Sequence, residues 1–233
     1  MNFQEMSQLL SEKGIKIDSS CEAKFKAYAA LLKEWNEKMN LTSIVEEEEV
    51  YEKHFYDSLL VAHGFDLSGK KIADIGSGAG FPGMALAIAF PSAKVTLIDA
   101  TKKKFLFLEE VKKACVIKNV EFHVGRVEDM RGFRESFDVV TSRGFAALRI
   151  FAEVGAPLLK VGGTLLAMKG SKGSDELHEA TNALIKTSLH LSNSQKEFLS
   201  EASGTHINYY FTKKAKTIAK YPRPWAEIVA KPL

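Results

Sequence analysis

The spacing of apolar and polar positions changes character once along the chain, near residue 66. Before that point it is helical. Phe25, Tyr28, Ala29, Leu32, Trp35 and Met39 recur at three- and four-residue steps, one apolar face of a helix over residues 22–39 that Asn40 ends. A second amphipathic helix is predicted over residues 46–65. Its acids gather at the N-terminal end, where the helix dipole favours them, and Gly64 comes at its close. From Lys70 short apolar runs take over: KIADI (71–75), KVTLID (94–99), VEFHV (120–124), FDVVTS (137–142) and TLLAM (164–168). Helical stretches separate them, among them MALAIAF and residues 101–115, with Phe105, Leu108 and Val111 on one face. Strand and helix in alternation predict an α/β fold with a doubly wound, mostly parallel sheet. A helix over residues 174–187 and two antiparallel segments near 189–199 and 207–212 complete the pattern. Residues 1–66 are thus expected to form a helical N-terminal cap, and residues 67–233 the sheet domain.

Composition adds limits. A chain of 233 residues with 45% hydrophobic and 26% charged positions buries a real core without staples. Cys21 and Cys115 lack the number and spacing for a disulfide framework or a metal site, and read as small core residues. The N-terminal residues lack a basic segment before an apolar run, and the longest apolar run is short. The expectation is therefore a cytoplasmic protein with no membrane contact. The net charge of +3 is unevenly placed: residues 1–66 carry −6 and residues 205–233 carry +5. A basic tail suggests a polyanionic partner.

The chemistry concentrates in DIGSGAGFPG, residues 74–83. The glycines follow a strand and open a helix, where a ligand comes close to the backbone. Pro82 suits a first helical turn. No Lys-Ser or Lys-Thr follows, which argues against a triphosphate loop. Phe81 stands where a dinucleotide fingerprint needs its third glycine. The pattern D-x-G-x-G-x-G (Asp74, Gly76, Gly78, Gly80) instead fits the turn of S-adenosylmethionine (SAM) dependent methyltransferases, with Asp74 expected to meet the methionine ammonium. Asp99 ends the next strand about twenty residues on, where a carboxylate holds ribose hydroxyls. Val127 and Glu128, after the third strand, would lie beside the adenine.

The acceptor is less directly written. The strand 137–142 runs into Thr141-Ser142-Arg143-Gly144, not the Pro-Pro-aromatic turn of amino methyltransferases. Neither cysteine lies at a strand end as carbon-5 methylation requires. Lys169 could serve a ribose 2′-hydroxyl site, but its partner acid is missing. Guanine N7 has a lone pair and no proton to lose, so its methylation needs positioning rather than a base.

Motifs along nearly the whole chain resemble the glucose-inhibited division protein B family, the small-subunit rRNA guanine-N7 methyltransferases. They are WNEKMNLTSI (35–44), HFYDSL (54–59), DIGSGAGFPG, GRVED (125–129), TSRGFA (141–146) and KYPRP (220–224). The resemblance implies a Rossmann-like SAM-dependent methyltransferase fold with a seven-stranded sheet. It implies cofactor contacts at Gly76, Phe81, Val127, Glu128 and Arg143, and a guanine in the decoding-region loop of 16S rRNA as substrate. The tail departs from the family: PWAEIVAKPL replaces its usual Lys-x-Gly turn.

Several side chains carry two readings. Arg143 and Lys169 are positioning candidates at the cofactor edge; for Arg143 the bland reading is a structural ion pair. His54 and Asp57, three apart on one helix face, read as domain packing at the pocket edge. Trp35 reads as core. Lys102 and Lys103, with Lys104, open a helix where the dipole disfavours cations, which hints at RNA. Lys213, Lys214, Lys216, Lys220 and Arg223, interleaved with Tyr209, Tyr210, Phe211 and Tyr221, suit phosphate contact and base stacking. The expected partner is 16S rRNA or the small ribosomal subunit, the expected form a monomer, with no metal. The rivals are a methyltransferase of proteins or small molecules, whose activity would be insensitive to salt, and a non-catalytic RNA-binding module, which would bind RNA without cofactor.

Overall fold

The computed structural model describes residues 1–200 and 204–233. Helices α1 (Phe3–Glu12) and α2 (Cys21–Met39) come first. Asn2 caps α1 with a reciprocal Asn2–Glu5 capping box, and Asn40 ends α2 in the left-handed conformation. The segment expected as one amphipathic helix over 46–65 is less regular. It runs through α3 (Glu47–Val50), a π-helical turn (Tyr51–Tyr56), α4 (Asp57–Leu59) and a 3-10 turn (Leu60–Ala62). Nearly every residue from His54 to Val61 is buried, His54 and Asp57 included. This stretch is enclosed between the N-terminal helices and Arg143 and His206 of the sheet, whereas Glu47 and Glu48 at the start of the segment are exposed.

Strands β1 (Lys71–Ile75), β2 (Lys94–Asp99), β3 (Val120–Val124), β4 (Phe137–Arg143) and β5 (Leu159–Lys169) are parallel. Strands β6 (Leu189–Ser200) and β7 (Gly204–Lys213) form an antiparallel pair, and β7 lies antiparallel on β5. The sheet order is β3-β2-β1-β4-β5-β7-β6. Helices α5 (Gly83–Ala89), α6 (Lys102–Ala114), α7 (Leu148–Gly155), α8 (Gly173–Glu179), α9 (Thr181–Thr187) and α10 (Trp225–Ala230) complete the layers. The helix expected over 174–187 is thus two. At the break the Thr181 hydroxyl turns back to donate to the His178 carbonyl at 2.7 Å, a local bond that competes with helix continuation.

One face of the sheet shares a continuous core with the N-terminal helices: Phe25, Tyr28, Leu32 and Phe55 pack with Met84, Phe107 and Leu108. The other face packs Phe151, Leu158, Leu165 and Phe211 together. Cys21 and Cys115 are buried in the first of these cores, as expected. Trp35 packs at its margin, 6.0 Å ring to ring from Phe107. No helix among the described residues is long and apolar enough to cross a membrane.

The order of strands places the site. The strand order reverses between β1 and β4, and a crevice opens at the carboxyl ends of the strands beside such a point.

Candidate cofactor and acceptor crevices

The turn after β1 is held open from below. Gly76, Gly78 and Gly80 all have positive φ, at 69°, 58° and 97°. A Cβ on Gly76 would stand 2.6 Å from the Phe145 ring. One on Gly80 would collide with the Tyr28 hydroxyl, which donates to the Ala79 carbonyl at 2.5 Å. Bare backbone is therefore required both toward the crevice and toward α2. Asp74 lies fully enclosed beneath the turn. Its Oδ2 accepts from the Gly83 N–H at 2.8 Å, fixing the start of α5, while Oδ1 is buried with no partner among the described residues. Burial pushes its carboxyl up to about 7, against the opposing pull of the Gly83 N–H and Arg143.

Asp99 closes β2. It accepts from the Gly78 N–H at 3.1 Å, the Thr101 N–H at 2.8 Å and Lys104 Nζ at 3.0 Å. Burial alone would raise its carboxyl. The bonds from Thr101, Lys104 and Gly78 outweigh burial and hold it below the usual range. Gly76, Asp99, Lys104, Val127, Glu128, Phe145 and Trp225 line a crevice of about 340 Å³. Val127 and Glu128 reach it from a 3-10 turn after β3.

A second crevice of about 560 Å³ adjoins the first and shares Gly144 and Phe145 with it. Asp57, Arg143, Lys169, Glu176, His206 and Asn208 line it. Arg143 does not grip an open site. Its Nη1 donates to the Lys53 carbonyl at 2.8 Å and to Asp57 at 2.9 Å, and Nη2 donates to His54 Nδ1 at 2.9 Å. Arginine can only donate, so His54 Nδ1 carries the lone pair and Nε2–H donates to Thr42 Oγ1 at 2.9 Å. Burial first, and then the Arg143 charge, push His54 down to about 3. Asp57 also takes His206 Nδ1 at 2.7 Å. Burial would raise this carboxyl, but His206 and Arg143 hold it low. With Thr42 N bonded to Asn36 at 2.8 Å, one polar chain joins Asn36, Thr42, His54, Arg143, Asp57 and His206. Phe81 lies under this chain, stacked on both His54 and Tyr28, with the Arg143 guanidinium 5.2 Å from its ring centre.

Gly76, Asp99, Val127 and Glu128 of the expected cofactor residues therefore meet at one crevice, while Gly78 shapes it through Asp99. Asp74, Gly80 and Phe81 lie beneath its lining, and Arg143 faces the second crevice. Asp74, expected to meet a ligand ammonium, is enclosed, with Oδ2 on the Gly83 N–H and Oδ1 buried without a partner among the described residues. Lys169 is mostly enclosed, donating to the Ala146 carbonyl at 2.7 Å and ion-paired with Glu176 at 2.8 Å.

The basic tail is placed differently from expectation. Because β7 runs antiparallel, Lys213 falls at the far end of the sheet from the crevices. Its side chain is 0% exposed, and Nζ donates to the Leu159 carbonyl at 2.7 Å. Burial lowers its pKa, against the pull of Glu135. Arg223 forks onto Glu153, itself 0% exposed, at 2.8 and 2.7 Å. Tyr209, Tyr210, Phe211 and Tyr221 are core residues, and the Tyr210 hydroxyl donates to the Val61 carbonyl at 2.9 Å. Lys213 and Arg223 are thus inward ion partners, and these aromatics give no stacking surface. Lys102, Lys103, Lys214 and Lys220 are exposed, the first two at the crevice end.

Sequence reasoning missed Glu176, His206, Phe145 and Trp225 as crevice residues. Trp225 had a signal, since it opens the stretch where the tail leaves the family pattern. Glu176 had none, because its place depends on how α8 returns over β4 and β5. Among the described residues no cluster of three or more His, Cys, Asp or Glu could hold a metal ion.

A glycine turn, an acid ending β2 and a turn after β3, converging on one crevice of a seven-stranded sheet, define the class: a Rossmann-like methyltransferase fold. Solved structures agree on that fold. A SAM-dependent methyltransferase from Aquifex aeolicus matches with a TM-score of 0.54 and 18% identity, covering 67% of this chain and 89% of that one. TYW2 of M. jannaschii, solved in complex with AdoMet, matches at 0.52 and 17% identity, covering 63% and 70%. The family pattern for GidB, rRNA small subunit methyltransferase G, matches residues 21–203. The ribosomal RNA small subunit methyltransferase G of an Exiguobacterium species is 42% identical over the full length of both chains. That of Staphylococcus epidermidis is 40% identical over 96% of this chain and 95% of its own. The chain belongs to the rRNA small subunit methyltransferase G family.

Proposed function

We propose that this protein transfers a methyl group from SAM to N7 of a guanine in the decoding-region loop of 16S rRNA, as rRNA or within the small ribosomal subunit. One observation carries the reading. The nucleoside-sized crevice over the glycine turn continues, across Gly144 and Phe145, into a second crevice with room for a base. Family membership supports the substrate class, and the resemblance stated above supplies the guanine atom.

The residues fit the cofactor. Gly76 is bare where a side chain would fill the cradle, Asp99 offers a fixed carboxylate for ribose hydroxyls, and Val127 and Glu128 would flank adenine. SAM supplies a methyl on a sulfonium: as the N7–C bond forms the C–S bond breaks, its electrons pass to sulfur, and the positive charge passes to the base. The protein needs no general base, because N7 has no proton to lose. Its contribution is orientation, with Asp74 fixing the turn and Arg143 fixing the wall of the second crevice. Lys102 and Lys103 would meet RNA phosphates beside the site, and Lys214 and Lys220 at the far end; Lys213 and Arg223 leave that set. The target base leaves its stack to enter, at least cost in a single-stranded loop.

The division into a cap (1–66) and a SAM-binding unit (67–233) belongs to the same proposal, supported by the change from helices to alternating strands and helices after residue 66. So do a monomeric working form and the cytoplasm, where small subunits are assembled.

The test offers labelled SAM with small subunits lacking this methylation, with naked 16S rRNA and with protein extract in parallel. Label in RNA supports the reading. Label only in protein would overturn it.

A further inference from the structure

We infer that Glu176 reads the target guanine by accepting hydrogen bonds from its N1–H and N2–H groups, and that the same carboxylate stabilises the transition state. This rests on the reading of the second crevice as the acceptor site.

Among the described residues two carboxylates line that crevice, Asp57 and Glu176. Asp57 is committed: Oδ2 takes Arg143 and Oδ1 takes His206, and its side chain is 1% exposed. Glu176 is half committed. Its Oε2 accepts from the Leu148 N–H at 2.8 Å and is ion-paired with Lys169 Nζ at 2.8 Å. Those two donors fix the carboxylate in place, on the start of α7 and on the last residue of β5. Oε1 has no hydrogen-bond partner among the described residues, and the side chain remains 27% exposed. A fixed carboxylate that offers a free oxygen with two lone pairs is an acceptor-only reader.

That chemistry selects one base. Guanine alone presents two adjacent donors, N1–H and N2–H, on its Watson–Crick edge. Adenine presents an acceptor at N1, which a carboxylate repels. N7 lies on the opposite side of the purine. A guanine held at Glu176 by its Watson–Crick edge therefore turns N7 away from Glu176. The wall shared with the cofactor crevice is Gly144 and Phe145, and at Gly144 an added Cβ would meet no described atom within 4 Å. Methylation at N7 makes the base cationic and its N1–H more acidic. A carboxylate on N1–H therefore binds the transition state more tightly than the ground state, which raises kcat and not only affinity.

The test uses the full chain and small subunits reconstituted with guanine or inosine at the target; inosine keeps N1–H and lacks N2–H. Wild type should methylate inosine with kcat/KM lower by about tenfold or more. Glu176→Gln keeps a carbonyl for Leu148 and Lys169 but puts an amide donor where the acceptor was. It should lower kcat on guanine by about a hundredfold and abolish the guanine–inosine difference, with SAM affinity by calorimetry and the thermal midpoint near wild type. Equal rates on both bases in wild type would overturn the inference. So would an unchanged guanine–inosine ratio in the variant. The inosine arm needs no variant, so it decides even if Glu176→Gln folds poorly. If wild type labels neither base in RNA, the reading of the acceptor crevice fails instead.

Discussion

Single residues here act through what they are paired with. Lys213 and Arg223 show this most plainly. Arg223→Ala strands the Glu153 carboxylate in the core, and breaking such a pair costs about 3–5 kcal/mol. Lys213→Ala removes a bond to the Leu159 carbonyl and should cost about 1–3 kcal/mol. Urea denaturation checks both, and rRNA affinity measured well below the unfolding transition should stay near wild type. Trp225 gives an optical handle. It lines the cofactor crevice 6.0 Å ring to ring from Phe145, so SAM should change its fluorescence, and Trp225→Phe should abolish the change while Trp35 remains. Asp99, Val127 and Glu128 were legible because a residue ending a parallel strand has a fixed place at the crevice. Lys213 was not legible, because only the direction of β7 decides which end of the sheet it reaches.

At the scale of elements, the polar chain from α2 to β7 and the turn after β1 carry opposite pH dependences. His54 binds a proton near 6.5 when unfolded and only near 3 when folded, so it subtracts stability as pH falls from 6.5 toward 3. Asp74 releases its proton near 3.8 when unfolded and only near 7 when folded, so it subtracts stability as pH rises from 3.8 toward 7. Each slope is at most about 1.4 kcal/mol per pH unit, and they oppose between about pH 4 and 6.5. Asp74→Asn should therefore lose stability more steeply than wild type on acidification, and His54→Gln less steeply. Identical slopes in urea titrations of all three would contradict this assignment. Gly76→Ala belongs to the same scale. Its Cβ meets Phe145 and its φ is 69°, so SAM affinity should drop about tenfold or more by calorimetry. The strands and the glycine turn were readable from period and motif. The broken path of residues 47–62 was not, because burial of every residue from His54 to Val61 erases the one-faced pattern that signals a helix.

At the scale of the molecule, the placement of exposed charge sets the expected approach of RNA. The exposed Lys102 and Lys103 stand at the crevice end, whereas Lys214 lies beyond β7 at the other. Reversing both Lys102 and Lys103 to Glu should raise KM for small subunits and reduce the salt slope of binding more than the same change at Lys214 and Lys220. The doubly wound architecture and the class of ligand were visible in the alternation of strands and helices. The second crevice was not, because it is assembled from β4, β5, α8 and β7, far apart in sequence.

The proposed reaction is methyl transfer to one atom of one base. Small subunits lacking this modification should be incubated with labelled SAM and the protein, and the rRNA then digested and analysed by mass spectrometry. The expected product is 7-methylguanosine at a single guanine of the decoding-region loop. Label on another base, on another atom of guanine, or on ribosomal protein would contradict it.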